Sequence, residues 1–140
     1  MVEEAKILLI DDNERSRHDL ETVLNFLGEE TVSATSSNWH SRTAEETGKP
    51  AQITVAIIGV CEFIPLEQLL SDIHQWEAGT PFVLVDDHEL PEFFDPELLS
   101  RVTATLEANL SYQPLLDALH KAKIFHEHYN RLRDFDGVKD

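Results

Sequence analysis

Hydrophobic residues fall along this chain in two alternating rhythms. Lys6-Ile7-Leu8-Leu9-Ile10 and Ile53-Thr54-Val55-Ala56-Ile57-Ile58-Gly59-Val60 are apolar runs without strict alternation, the pattern of strands buried on both faces. Pro81-Phe82-Val83-Leu84-Val85 reads as a further strand, and residues 31–35 as a shorter one. Residues 102–107 set Val102, Ala104 and Leu106 against Thr103, Thr105 and Glu107, which predicts a half-covered edge strand.

Between these runs the apolar positions recur every three or four residues. Leu20, Val23, Leu24 and Leu27 follow Asn13, a predicted N-cap, and Gly28 stands where a glycine would close the helix. A short helix is expected over about residues 37–47, buried through Trp39 and Ala44. Pro65 opens the next, whose apolar face is Leu66, Leu69, Leu70, Ile73 and Trp76, with Gly79 at its end. Pro91 and Pro96 leave room only for a short helix capped by Asp95. The last helix is predicted over residues 111–133, with Leu115, Leu116 and Leu119 towards the sheet. Ala118, Ala122, Phe125, Tyr129 and Leu132 follow the 4-3-4-3 spacing of an association seam. At about 1.5 Å per residue such a helix exceeds 30 Å, more than the sheet needs, so its excess is expected to pack on a second copy or a following domain.

Strand and helix thus alternate five times. With short connections and right-handed crossovers, this is an α/β fold with a five-stranded parallel doubly wound sheet. Residues 1–134 are expected to form one domain, and the polar residues 135–140 to begin a linker. An apolar fraction of 41% suits a globular chain, and a net charge of −16 argues against direct contact with nucleic acid or an anionic membrane. A single cysteine, Cys61, excludes an internal disulfide and fits a reducing compartment. The acidic start runs directly into the first strand, unlike a signal peptide, and no stretch approaches the length of a membrane span. These features predict a cytoplasmic protein.

The chemistry gathers where strands end. Asp11 and Asp12 follow the first strand, and Asp86-Asp87-His88 follows the fourth, at the carboxyl edge where open α/β sheets hold their ligands. Asp11, Asp12, Asp86 and Glu107 are all oxygen donors, so a hard cation is conceivable; a solvated acidic surface is the favoured reading. His126 and His128 lie two apart on a helix and point to different sides, without metal-pair spacing. Cys61 has no basic neighbour in sequence to activate it.

Five β/α units with an acidic pair after the first strand resemble the response-regulator receiver family, over about residues 6–123. That resemblance assigns Asp11 and Asp12 to a Mg²⁺-binding pair and Gly59 to the position of the phosphoacceptor aspartate. Asp86 takes the place of a hydroxyl residue, Glu107 that of a lysine, and Ala108 that of a proline. The phosphorylation pocket is therefore degenerate: the carboxylate nucleophile is absent, and two positions carry negative charge that would repel a phosphoryl donor. Leu24-Asn25-Phe26-Leu27-Gly28-Glu29, Glu107, and Ser111-Tyr112 ahead of Leu115-Leu116-Asp117-Ala118-Leu119-His120-Lys121-Ala122 are similar to the N-terminal domain of the FleQ/FlrA family of flagellar master activators. The resemblance implies a non-phosphorylated regulatory and self-association domain without cofactor, joined to a sigma-54-type ATPase domain of the same protein. The chain contains no phosphate loop and no helix-turn-helix, so ATP hydrolysis, cyclic di-GMP response and DNA contact belong to other parts of such proteins. A phosphoacceptor receiver using Asp86 or Glu62, and an ion or small-molecule sensor, are the alternative readings.

Overall fold

The elements in chain order are β1 (Lys6–Ile10), α1 (Glu14–Phe26), β2 (Thr31–Ala34), α2 (Trp39–Glu46), β3 (Ile53–Ile58), α3 (Leu66–Trp76), β4 (Phe82–Val85), α4 (Pro96–Leu99), β5 (Val102–Leu106) and α5 (Tyr112–Val138). This computed structural model describes residues 5–47, 52–85, 95–107 and 112–138, with side chains in α5 described as far as residue 131. All strand pairs are parallel, in the order β2-β1-β3-β4-β5.

Burial on both faces explains the unbroken apolar runs. Ile7, Leu9, Val55, Ile57, Val83 and Val85 meet Leu20 and Leu24 of α1 and Leu115, Ala118, Leu119 and Ala122 of α5. Leu8, Ile10, Ala56, Ile58, Phe82 and Leu84 meet Trp39 of α2, Leu69, Leu70 and Ile73 of α3, and Leu98 of α4. Each fully buried Val, Leu, Ile or Phe among them contributes about 1.5–3 kcal/mol on leaving water. The chain turns one way from β1 to β2 and the other way from β1 to β3. That reversal opens a crevice beyond the carboxyl ends of β1 and β3.

Helix ends follow local chemistry. Asn13 Oδ1 accepts from Ser16 N at 2.9 Å, and Gly28 closes α1 with φ +84°. Asp95 Oδ1 accepts from Glu97 N at 2.9 Å, with Pro96 in the first turn of α4. Pro65 sits one place earlier than expected, as the N-cap of α3.

Several expectations are corrected. In α2 the buried partner of Trp39 is Thr43, not Ala44, which is exposed; the Thr43 hydroxyl donates to the Trp39 carbonyl at 2.6 Å and so tolerates burial. Leu116 is 42% exposed, because Leu115, Ala118, Leu119 and Ala122 already fill the sheet-facing side of α5. The alternation in β5 is broken by a shift in register: Phe82 pairs with Val102 but Val83 pairs with Ala104. Val102 therefore packs with α3 and α4, while Ala104 and Leu106 pack with α1 and α5. Helix α5 continues through Val138, past the expected end at Arg133, so residues 135–138 are helical. Asp86, Asp87, His88, Pro91, Ala108 and Ser111 lie outside the described residues.

Candidate functional site

The crevice brings together Asp11, Asp12 and Gly59. Asp12 binds the two neighbouring loops to β1. Its Oδ1 accepts from Ser36 N at 2.7 Å; its Oδ2 accepts from Ser36 Oγ at 2.7 Å, Glu62 N at 2.7 Å and Phe63 N at 3.2 Å. One carboxylate thus fastens the β2–α2 turn and the β3–α3 turn together. Asp11 is fully buried: Oδ1 accepts from Asn13 N at 2.8 Å and Oδ2 from Ser16 Oγ at 2.6 Å. Arg17 Nη1 donates to the Asp11 carbonyl at 2.8 Å, bringing a fixed positive charge to the corner. Ser16, Arg17 and Ser36 are marked by no motif in the sequence. Ser16 and Arg17 lie in the first turn after the Asn13 cap, where side chains return to the strand end; Ser36 is 24 residues from Asp12 and gives no local signal.

Gly59 directly follows β3 beside Asp11, its N–H donating to the Ile10 carbonyl at 2.8 Å. A Cβ added at Gly59 would overlap Asp11 Oδ2 and lie 2.7 Å from Asp11 Cγ and 3.2 Å from its Cβ. The Asp11 carboxylate fills the space in which a phosphoacceptor side chain would begin, so the two groups exclude one another.

Burial raises the pKa of Asp12, but the hydrogen bonds from Ser36, Glu62 and Phe63 outweigh it and hold the carboxyl below the usual carboxylate range. The same bonds bear on Mg²⁺. Asp12 Oδ2 already accepts three donors and both Asp11 oxygens are engaged, so a hard cation would have to displace fixed protein donors. Asp11 and Asp12 thus offer a Mg²⁺ ion only oxygens that already accept protein donors. Among the described residues, no group of three or more His, Cys, Asp or Glu could hold a metal ion.

The remaining candidates are dispersed. Glu107 is exposed at the end of β5, which β4 separates from β3; Asp86 lies outside the described residues. Glu62 is exposed. Cys61 is half-buried against the core, and burial, then the charges of Asp12 and Asp11, push its thiol up to about 12. His126 is 7% exposed while His128 is exposed, as their two-residue spacing requires. Of the proposed seam, Ala118 and Ala122 are spent on the domain's own core. Phe125 and Tyr129 are half-buried beside Arg101, and the Leu132 side chain lies outside the described ones. Among the described residues, no helix is long and apolar enough to cross a membrane.

The sheet order, the two-faced helix cover and the acidic crevice define a receiver fold. The similarity to solved receivers is extensive in space and low in sequence. A response regulator receiver domain from Clostridium thermocellum is 20% identical with TM-score 0.70, covering 89% of this chain and 98% of that one. A CheY-like receiver from Methanospirillum hungatei is 18% identical with TM-score 0.73, covering 91% and 99%. NtrX from Brucella abortus is 16% identical with TM-score 0.74, covering 95% of this chain but 30% of its own. Within this fold class, residues 6–124 match the model of the flagellar regulatory protein FleQ, and the chain belongs to that family.

Proposed function

We propose that this chain is the regulatory receiver domain of a sigma-54-dependent activator of flagellar genes, acting in the cytoplasm without phosphoryl transfer. It supplies no catalytic group, contacts no nucleic acid or membrane directly, and acts on an ATPase domain of the same protein. The observation that carries this reading is the Asp11 carboxylate lying where a side chain at residue 59 would start. A pocket in that state has neither a nucleophile nor space for one. The similarity to NtrX over less than a third of that protein's length fits a domain that serves within larger regulators.

The test is incubation with acetyl phosphate, and separately with beryllofluoride, in the presence of Mg²⁺. The expected result is no phosphoryl increment in intact mass and no change in tryptophan fluorescence. A phosphoryl adduct on Glu62, Asp86 or any other carboxylate overturns the reading.

Self-association belongs to the same proposal and is assigned to the far half of α5. Ile124 is 54% exposed there, and Leu132 follows two turns later. Light scattering should give a dimer that becomes a folded monomer on Ile124→Glu with Leu132→Glu. A wild-type chain that is monomeric at every accessible concentration removes this part of the proposal.

A further inference from the structure

Helix α5 is about 40 Å long for its 27 residues, while the strands beneath it have at most six. Leu115, Ala118, Leu119 and Ala122 seat its first half on the sheet. The second half extends over the amino ends of β4 and β5, opposite the acidic crevice. There it meets two turns. Arg101, immediately before β5, places its guanidinium 5.5 Å from the Phe125 ring centroid and 5.3 Å from that of Tyr129. Among the described residues its Nε is buried without a hydrogen-bond partner. Gly79, in the turn before β4, lies under the Tyr129 ring. A Cβ there would sit 2.5 Å from Tyr129 Cδ1 and 2.8 Å from Cε1.

Gly79 was expected as a helix terminator. Helix α3 instead ends at Trp76 with Glu77 as its cap, and Gly79 does not take a left-handed φ. What position 79 requires is the absence of a side chain beneath an aromatic ring.

We propose that Arg101 and Gly79 form a latch that fixes the direction in which the second half of α5 leaves the domain. Arg101 holds the two rings from the α4–β5 turn, and Gly79 provides the notch into which Tyr129 drops. Lys123, paired with Glu29 before β2, ties the helix down just where its second half begins, and beyond that point the two rings and these two turns set its direction. With the latch open, α5 from Phe125 onward moves as a free helical arm while the first half stays seated. This inference goes beyond the proposed function and does not depend on it.

The test is residue-resolved amide exchange on the full 140-residue chain. Arg101→Gln keeps a similar stem and removes the cation. It should raise exchange at residues 125–131 about tenfold, the factor expected from losing two ordinary cation–π contacts, and leave residues 115–122 and β3 unchanged. Arg101→Lys should restore most of the protection. Gly79→Ala, which drives Tyr129 out while keeping Arg101, should reproduce the Arg101→Gln pattern. Tyr129→Ala does the same without touching either turn, should one of those variants fold poorly. Unchanged protection at 125–131 in these variants overturns the latch. So does a loss spread evenly over the sheet, which would make Arg101 and Gly79 general stabilisers only.

Discussion

Replacing Asp12 by asparagine separates two accounts of the acidic corner by sign. If Asp11 and Asp12 are crowded charges left over from a lost metal site, removing one charge should stabilise the fold. The hydrogen bonds require the opposite. Ser36 is 1% exposed, so its N–H and hydroxyl have no access to water when Asp12 stops accepting from them. The N–H groups of Glu62 and Phe63 are on exposed residues and recover solvent. An asparagine has one acceptor oxygen for four donors and turns its amide hydrogens towards the rest. With one or two buried donors unmet, the loss is about 2–3 kcal/mol. Urea unfolding followed by Trp39 and Trp76, whose rings are 5.4 Å apart, should show a midpoint about 1–2 M lower at pH 7.

The pH dependence is fixed by the direction of the Asp12 shift. Its folded pKa is depressed, so its contribution is complete above the ordinary aspartate value of about 3.9 and is lost as pH falls through the lower folded value. The gap between wild type and Asp12→Asn should therefore begin to narrow below about pH 4 and close as pH falls through the lower folded value. A variant as stable as wild type at pH 7, or more stable, refutes the clamp.

Gly59→Asp should lower stability by about 1–3 kcal/mol in the same urea assay, because the new side chain must displace the Asp11 carboxylate, and it should acquire no phosphoryl group from acetyl phosphate. Cys61 in the native chain at pH 8 should react with iodoacetamide about a thousandfold more slowly than a free thiol, and at the ordinary rate in urea. Asn13→Ala removes the acceptor for Ser16 N and should cost about 1 kcal/mol, read from the same unfolding midpoint.

The parts of this fold legible in the sequence were those set by nearest neighbours along the chain. Unbroken apolar runs gave strands β1, β3 and β4; Asn13, Gly28 and Asp95 marked helix ends because capping is a contact across two or three residues. What escaped was set by partners distant in sequence. The inside and outside of β5 depend on a register shift against Phe82, which no alternation within residues 102–107 discloses. Gly79 carried a plausible terminator signal, but its purpose is the approach of Tyr129, 50 residues later. At the corner, the sequence placed Asp11, Asp12 and Gly59 together through the order of strands. That Asp12 would be occupied by Ser36, Glu62 and Phe63 depends on how two loops fold over it.

The Asp12 clamp bears on how alleles of such a protein are interpreted. An amino-acid change at this position inactivates an ordinary receiver by removing a metal ligand, and a phenotype here invites the same conclusion. In this chain the change would act through the amount of folded protein, since a loss of 1–2 kcal/mol alters cellular abundance several-fold. Its signature is temperature sensitivity and relief by a stabilising substitution elsewhere in the domain. If the clamp holds, a position that looks like the remains of an active site acts as a folding determinant, and its genetics should follow protein turnover.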